Sequence, residues 1–281
     1  MTNIAVILTV YNRRETTLKG LASLDAAIKY LGDGYHFDIY MTDDGCTDGT
    51  SEAVVKEFPD VHIIQGDGKL YWSGGMRKAW QAAIDNGKEY DFYLWFNDDA
   101  ELYDDALVTI FKSYNDAGGN AIISGAFCDK EGKAAYGGKR MNRTVIPPNG
   151  KNQEIKLMNG NLVLIPYTVY EILRTIDIHY KHGFGDYDYG LRAQKAGMKV
   201  FLSSKYVGST DRHDEIVPPY FSKQNSLTKR WSIMHDPRNT PSIAFRFNLR
   251  YMGIMRALLG FARNYIYMMF PSLFYLKKHI D

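Results

Sequence analysis

Phe92-Tyr93-Leu94-Trp95-Phe96-Asn97-Asp98-Asp99 is a run of five apolar residues that ends in an amide and two carboxylates. A short unbroken apolar run fits a parallel strand covered on both faces, and the polar residues at its end mark where the chain leaves the sheet. The same pattern recurs upstream. Residues 4–10 are almost wholly apolar and close in Thr9-Val10-Tyr11-Asn12-Arg13, and residues 37–42 lead into Asp43-Asp44-Gly45-Cys46-Thr47-Asp48-Gly49-Thr50. Amphipathic stretches over 15–31 and 74–86, and a helical segment reaching 58, separate these runs, with a third strand at 61–65. Strands alternating with helices through the first hundred residues predict a doubly wound α/β sheet. In such sheets ligands bind beyond the C-terminal strand ends, so the three polar clusters are expected on one rim.

A single Asp after a strand is usually a turn former or a helix cap, but three clusters on one rim ask for a ligand. Asp98 and Asp99 repel each other unless a proton, a basic neighbour or a cation intervenes. A hard divalent ion held by one or two carboxylates and completed by phosphate oxygens meets that need. Asp43 is placed to accept from a base or ribose. Together these residues describe a pocket for a nucleotide diphosphate with Mg²⁺ or Mn²⁺. Neither G-x-G-x-x-G nor G-K-[ST] follows the first strand; Tyr11-Asn12-Arg13-Arg14 stands there instead, which argues against a dinucleotide fold and a P-loop.

Past residue 100 the pattern becomes α+β. Strands are expected over 121–126, 140–146 and 162–165, with a turn at 129–133. Helices are expected over 166–174, started by Pro166, and over 186–196, stopped by Gly197. The domain reading is 1–217 for the catalytic part (1–100 binding nucleotide, 101–217 binding acceptor), with a helical extension over 218–281 that begins near Pro218-Pro219.

The chain resembles the inverting family 2 glycosyltransferases of GT-A fold over roughly residues 3–215. Ile7-Leu8-Thr9-Val10-Tyr11-Asn12-Arg13 looks like that family's opening strand and nucleotide loop, and Thr42 to Thr50 is similar to its D-[DN]-G-S-T-D-G-T signature. Asn97-Asp98-Asp99 sits where the family carries a metal-binding D-x-D. Gly185-Asp186-Tyr187-Asp188-Tyr189-Gly190-Leu191-Arg192-Ala193 resembles E-D-x-D-[LFY]-x-x-R-[AL], whose first spaced aspartate is the catalytic base. Residues 66–76, Gly66-Asp67-Gly68-Lys69-Leu70-Tyr71-Trp72-Ser73-Gly74-Gly75-Met76, are similar to a rhamnosyltransferase-like bacterial branch that builds surface polysaccharide. Two departures stand out: Gly185 replaces the acidic residue before the base, and Arg77 stands where relatives often have Asn.

The resemblance implies a donor site of Thr9, Tyr11, Asn12, Arg13, Asp43, Gly75, Arg77, Asn97 and Asp98. It implies acceptor contacts from Trp72, Tyr187 and Asp188, a metal site of Asp98, Asp99 and His213, and Asp186 as base. Helix capping is the competing reading for Asp186 and Asp188, a solvated loop for His213, and core packing for Trp72. The activity implied is transfer of one sugar from a UDP- or dTDP-sugar to a hydroxyl of a glycan or polyprenyl-linked acceptor. A sugar nucleotidyltransferase would carry a Gly-rich loop with an activating Arg or Lys after the first strand, and a catalytically silent binding module would have lost Asp186 or Asp99. Both remain the alternative readings, and that loop and those two aspartates are the features that discriminate them.

With 45% hydrophobic and 23% charged residues in 281, disorder and collagen are excluded. The net charge of +2 hides an asymmetry: from Phe221 onward ten Lys and Arg face two Asp. Only Cys46 and Cys128 are present, which fits a cytosolic chain without disulfides or a cysteine metal site. The basic, aromatic tail from Phe245 to Leu276 is expected to touch the inner face of the cytoplasmic membrane, with packing on the core or a homodimer contact as alternatives. No nucleic-acid partner is expected.

Overall fold

The computed structural model describes residues 1–210 and 217–278. Its first half runs β1 (Thr2–Val10), α1 (Arg14–Leu31), β2 (Tyr35–Asp43), α2 (Thr50–Glu57), β3 (His62–Gln65), α3 (Tyr71–Asp85) and β4 (Phe92–Phe96). The four strands lie parallel in the order β3-β2-β1-β4. The wholly apolar strands have the burial they require on two faces. Ile4, Val6 and Leu8 pack with Leu21 and Leu24 of α1, while Ala5 and Ile7 pack with Met76, Ala79 and Trp80 of α3. The register pairs Thr9 with Thr42 and Val10 with Asp43, so the polar ends of β1 and β2 emerge level with each other.

The second half is β5 (Glu101–Leu102), α4 (Ala106–Asp116), β6 (Ala121–Cys128), β7 (Ala134–Tyr136), β8 (Gly138–Lys139), β9 (Val145–Ile146), β10 (Gln153–Glu154), β11 (Leu157–Met158), β12 (Leu162–Pro166), α5 (Tyr167–Leu173), α6 (Gly185–Lys195) and β13 (Lys199–Ser209). β12 inserts antiparallel between β4 and β6, β13 runs parallel to β6, and β10 edges β13, so the sheet is mixed. β8 lies between β11 and β9 in a separate three-stranded sheet.

The strand expected over 140–146 is instead two short strands, β8 and β9, paired across a turn. There Arg143 takes a φ of 69° and donates its N–H to the Arg140 carbonyl at 2.8 Å. Two of the longer elements, α4 and β13, have no counterpart in the sequence reading. α4 carried its signal in the apolar spacing Leu107, Ile110, Phe111, Tyr114. β13 hid because Ser203-Ser204-Lys205 breaks its apolar pattern at a register shift between Leu202 and Tyr206, where the buried Ser203 hydroxyl accepts from Ala126 N at 2.9 Å.

Residues 1–178 and 185–210 form one compact unit, and residues 179–184 and 217–278 form a second. It contains α7 (Leu227–Met234), α8 (Pro241–Met252), α9 (Ile254–Met269) and α10 (Pro271–Lys278) around a small core of Phe221, Met234, Met268 and Phe274. Ser226 caps α7 by accepting from Lys229 N at 3.3 Å. α8 and α9 join at Gly253, whose φ of 86° allows a one-residue reversal, and Phe245 meets Phe261 across the hairpin with ring centres 5.6 Å apart. Among the described residues no helix is long and apolar enough to cross a membrane.

Candidate active site

The rim at the ends of β1, β2 and β4 is organised by hydrogen bonds between the polar clusters themselves. Asn12, at a φ of 49°, accepts Thr47 N on its Oδ1 at 2.7 Å and donates its own N–H to Cys46 Sγ at 3.2 Å, tying the β1 loop to the β2 loop. Asp43 accepts Cys46 N at 2.6 Å and the Ser51 hydroxyl. Burial pushes the Asp43 carboxyl up, but those hydrogen bonds outweigh it and hold the group below its ordinary value. Asp44, the second carboxylate of the pair, accepts backbone N–H groups from Gly68 (3.0 Å), Leu70 (3.2 Å) and Tyr71 (2.9 Å). It thereby fixes the loop that opens α3. The sequence reading had given Asp44 no role of its own.

Arg13 closes the rim. Its Nη1 lies 2.9 Å from Asp99 Oδ2 and 3.5 Å from Asp98 Oδ1, while the Thr17 hydroxyl donates to Asp98 Oδ2 at 2.8 Å. The repulsion expected of adjacent carboxylates is therefore met here by a basic neighbour. Burial nevertheless pushes the Asp98 carboxyl up to about 6; Asp99 adds to the rise, while Arg13 and Thr17 oppose it. Burial also works against the Arg13 charge, but the two aspartates raise its pKa above the ordinary guanidinium value. The all-oxygen donor pair suits Mg²⁺ or Mn²⁺. Among the described residues no three His, Cys, Asp or Glu side chains form a metal-binding group. His213, expected as the third ligand, lies outside the described residues.

Close packing carries the rim to a second cluster. Gly75 faces Thr9 so tightly that a Cβ there would fall 2.0 Å from the Thr9 Oγ1, and the Thr42 hydroxyl donates to the Gly75 carbonyl at 2.9 Å. α3 thus sits directly on the strand ends. From its first turn Trp72 donates Nε1 to Asn97 Oδ1 at 2.7 Å and stands edge-on to Trp95, with ring centres 5.8 Å apart. Gly160 backs the same indole; a Cβ on it would lie 2.4 Å from the Trp72 Cζ2. Arg77, five residues along, donates to the Asp177 carbonyl at 3.1 Å, and burial lowers its pKa. Tyr11 is exposed at the rim.

Asp186 belongs to this second cluster. It opens α6, where its Oδ1 accepts Tyr187 N at 2.8 Å and its Oδ2 accepts Gly160 N at 3.2 Å. Burial pushes its carboxyl up to about 6, against the pull of those N–H groups and of the Lys139 charge. Lys139 is itself largely buried, its ammonium 5.7 Å from the centre of the Tyr136 ring and 5.9 Å from that of Tyr187. Sequence reasoning missed Lys139 and Gly160, because only the three-stranded sheet and the turn before β12 bring them to Asp186.

Asp188 differs from the expectation of an acceptor contact. It is fully buried, and Arg192 Nε donates to its Oδ2 at 2.8 Å while the other guanidinium nitrogens hold the carbonyls of Leu173 and Thr175. One turn of helix separates Asp188 from Arg192, so the pair closes within α6 and locks it to the end of α5. Asp188 therefore supports the helix that presents Asp186.

The family model of glycosyl transferase family 2 matches residues 5–175, which covers β1 through α5 and the whole Arg13–Asp98–Asp99 rim. The chain belongs to glycosyltransferase family 2. Solved structures similar to this family 2 chain include the mannosyltransferase PcManGT from Pyrobaculum calidifontis, in complex with GDP-Man and Mn²⁺. That match has a TM-score of 0.52 at 14% identity and covers 98% of this chain and 80% of that one. TarS of S. aureus matches with a TM-score of 0.52 at 16% identity, covering 94% of this chain and 54% of that one. A 1–349 form of TarS in complex with UDP-GlcNAc matches with a TM-score of 0.51 at 14% identity, covering 89% of this chain and 73% of that one. The fold of the family 2 chain is therefore GT-A. No curated protein sequence gives a significant match.

Proposed function

We propose that this chain moves a single sugar from a nucleotide-diphosphate sugar to a hydroxyl of a glycan or lipid-linked acceptor, with inversion, using Asp186 as general base. The observation that carries this reading is the state of Asp186. Its carboxylate is held by two backbone N–H groups beside Trp72 and has its proton affinity raised to about 6, close to the working range of a base at neutral pH. Each of its oxygens accepts one N–H and keeps a lone pair for an incoming proton. In the step, the acceptor oxygen bonds to the anomeric carbon, its proton passes to Asp186, and the bond from that carbon to the phosphate oxygen breaks with its electron pair leaving on the nucleoside diphosphate.

Arg13, Asn12 and Asp43 form the nucleotide side of the site in this reading. Asp98 and Asp99 would hold a divalent ion, which supplies charge neutralisation for the departing diphosphate. Trp72 and Tyr187 offer aromatic faces beside the base, suited to the apolar face of a sugar. The likeness of residues 66–76 to the rhamnosyltransferase-like branch supports a UDP- or dTDP-sugar and a surface-polysaccharide acceptor. Incubating the protein with UDP-, GDP- and dTDP-sugars, with and without Mn²⁺, tests this. Nucleoside diphosphate release with one donor and an acceptor is expected, and NMR of the product should show the inverted anomer. A retained anomer would remove the single-displacement mechanism.

A further inference from the structure

α9 is apolar on two opposite faces. Ala257 and Met268, eleven residues and about three turns apart, are both buried, Met268 in the unit's own core. Met255, Leu258, Leu259, Ile266 and Met269 recur at three- and four-residue spacings, and at 3.6 residues per turn they line the side of the helix facing away from that core. Those five side chains are between 42% and 66% exposed, and the apolar surface continues through Phe270, Leu273 and Leu276. One solvated face of a helix normally carries polar residues, so a stripe of this size asks for a covering phase.

The charges around the stripe say which. Arg256 and Arg263, seven residues apart, run along one flank of it, and α8 exposes Arg246 and Arg250. From residue 237 through 278 the sequence contains no Asp or Glu. A second copy docked face to face along 237–278 would bring these arginines against their own copies with no carboxylate of that segment to receive them, which disfavours self-association. An anionic bilayer presents the complement on both counts: acyl chains for the leucines, and headgroup phosphates for the arginines. We propose that the outward face of α9, continued by α10, lies in the surface of an anionic lipid leaflet, with Arg256 and Arg263 at headgroup level. The helix lies on the leaflet and does not span it, in keeping with its sixteen residues. This contact is independent of the transfer chemistry, because binding to vesicles is read without any sugar present.

Flotation of the full chain with vesicles of phosphatidylglycerol and phosphatidylcholine tests the surface. Recovery in the lipid fraction should rise with the phosphatidylglycerol content and fall in high salt. The double variants Leu259→Glu with Ile266→Glu, and Arg256→Glu with Arg263→Glu, should each lower recovery by roughly tenfold or more. Both pairs lie outside the core, so circular dichroism and the thermal midpoint are expected to match wild type. Should the first pair fail to fold, the arginine pair carries the test alone. Equal recovery of wild type with and without vesicles, or unchanged recovery of the variants, overturns the proposal. So does a wild-type dimer in light scattering that the Leu259→Glu, Ile266→Glu variant turns to monomer without any lipid binding.

Discussion

Asp98 is buried and Asp186 half-buried, and both carboxyls have proton affinities raised to about 6, yet their surroundings differ in kind. Asp98 has a guanidinium within 3.5 Å, a hydroxyl at 2.8 Å and a second carboxylate as its sequence neighbour. Asp186 is held by neutral backbone N–H groups, and the charge acting on it comes from Lys139. A carboxylate clamped among fixed charges is built to hold charge in place. One raised by burial and held by backbone donors suits the proton transfer proposed for Asp186. The two clusters touch through the Trp72–Asn97 hydrogen bond, so two carboxyls in unlike surroundings lie in adjacent parts of one rim.

The largest effect that would sharpen this contrast is expected from Asp186→Asn. Turnover should drop by on the order of a hundredfold or more while nucleotide affinity stays close to wild type, as loss of a general base requires. Single-turnover kinetics beside calorimetry separates the two; near wild-type transfer would reduce Asp186 to a helix cap. At the other cluster, Asp99→Ala should weaken Mn²⁺-dependent nucleotide binding by roughly tenfold, about 1.4 kcal/mol. Unchanged calorimetric affinity would break the assignment of that pair to the ion. Gly160→Ala forces a methyl toward the Trp72 ring and shifts the N–H that Asp186 accepts. It should lower kcat by roughly tenfold with little change in nucleotide affinity, and an equal loss in both would show that the clusters are not separable.

The smallest effect is on stability. A carboxyl whose native value is about 6 against an ordinary 3.8 keeps its proton in the folded state longer than in the unfolded one, so its contribution is intact below about pH 4 and is lost as pH rises through 6. Asp186→Asn removes that loss. In urea titrations the variant should be about 1–2 kcal/mol more stable than wild type near pH 8, with the gap closing near pH 4. A variant less stable at both pH values would mean that the carboxylate supports the fold.

Much of this was legible in the sequence, for a physical reason. Strands buried on both faces must be continuously apolar, so residues 4–10 and 92–96 announce themselves, and the polar residues that end them mark the rim. The match of the family model over residues 5–175 bears out the resemblance drawn from those motifs. What stayed hidden depends on tertiary contact. Ser203 sits in β13 as a buried hydroxyl at a bulge and reads locally as a loop residue. Lys139 reaches the neighbourhood of Asp186 from a two-residue strand with no periodicity to read. Asp186 and Asp188, two positions apart in one motif, part company only through packing: the first meets backbone N–H groups beside Trp72, and the second is enclosed with Arg192.

The pH dependence of sugar transfer tests the distinction between the two clusters most directly. With donor saturating and Mn²⁺ constant, log kcat/KM for the acceptor should fall with unit slope as pH drops through about 6, because protonated Asp186 cannot accept the acceptor's proton. A rate that stays level from about pH 8 down to about pH 5 would contradict the account, since the group taking the proton would then lack the raised affinity that the buried site imposes on Asp186.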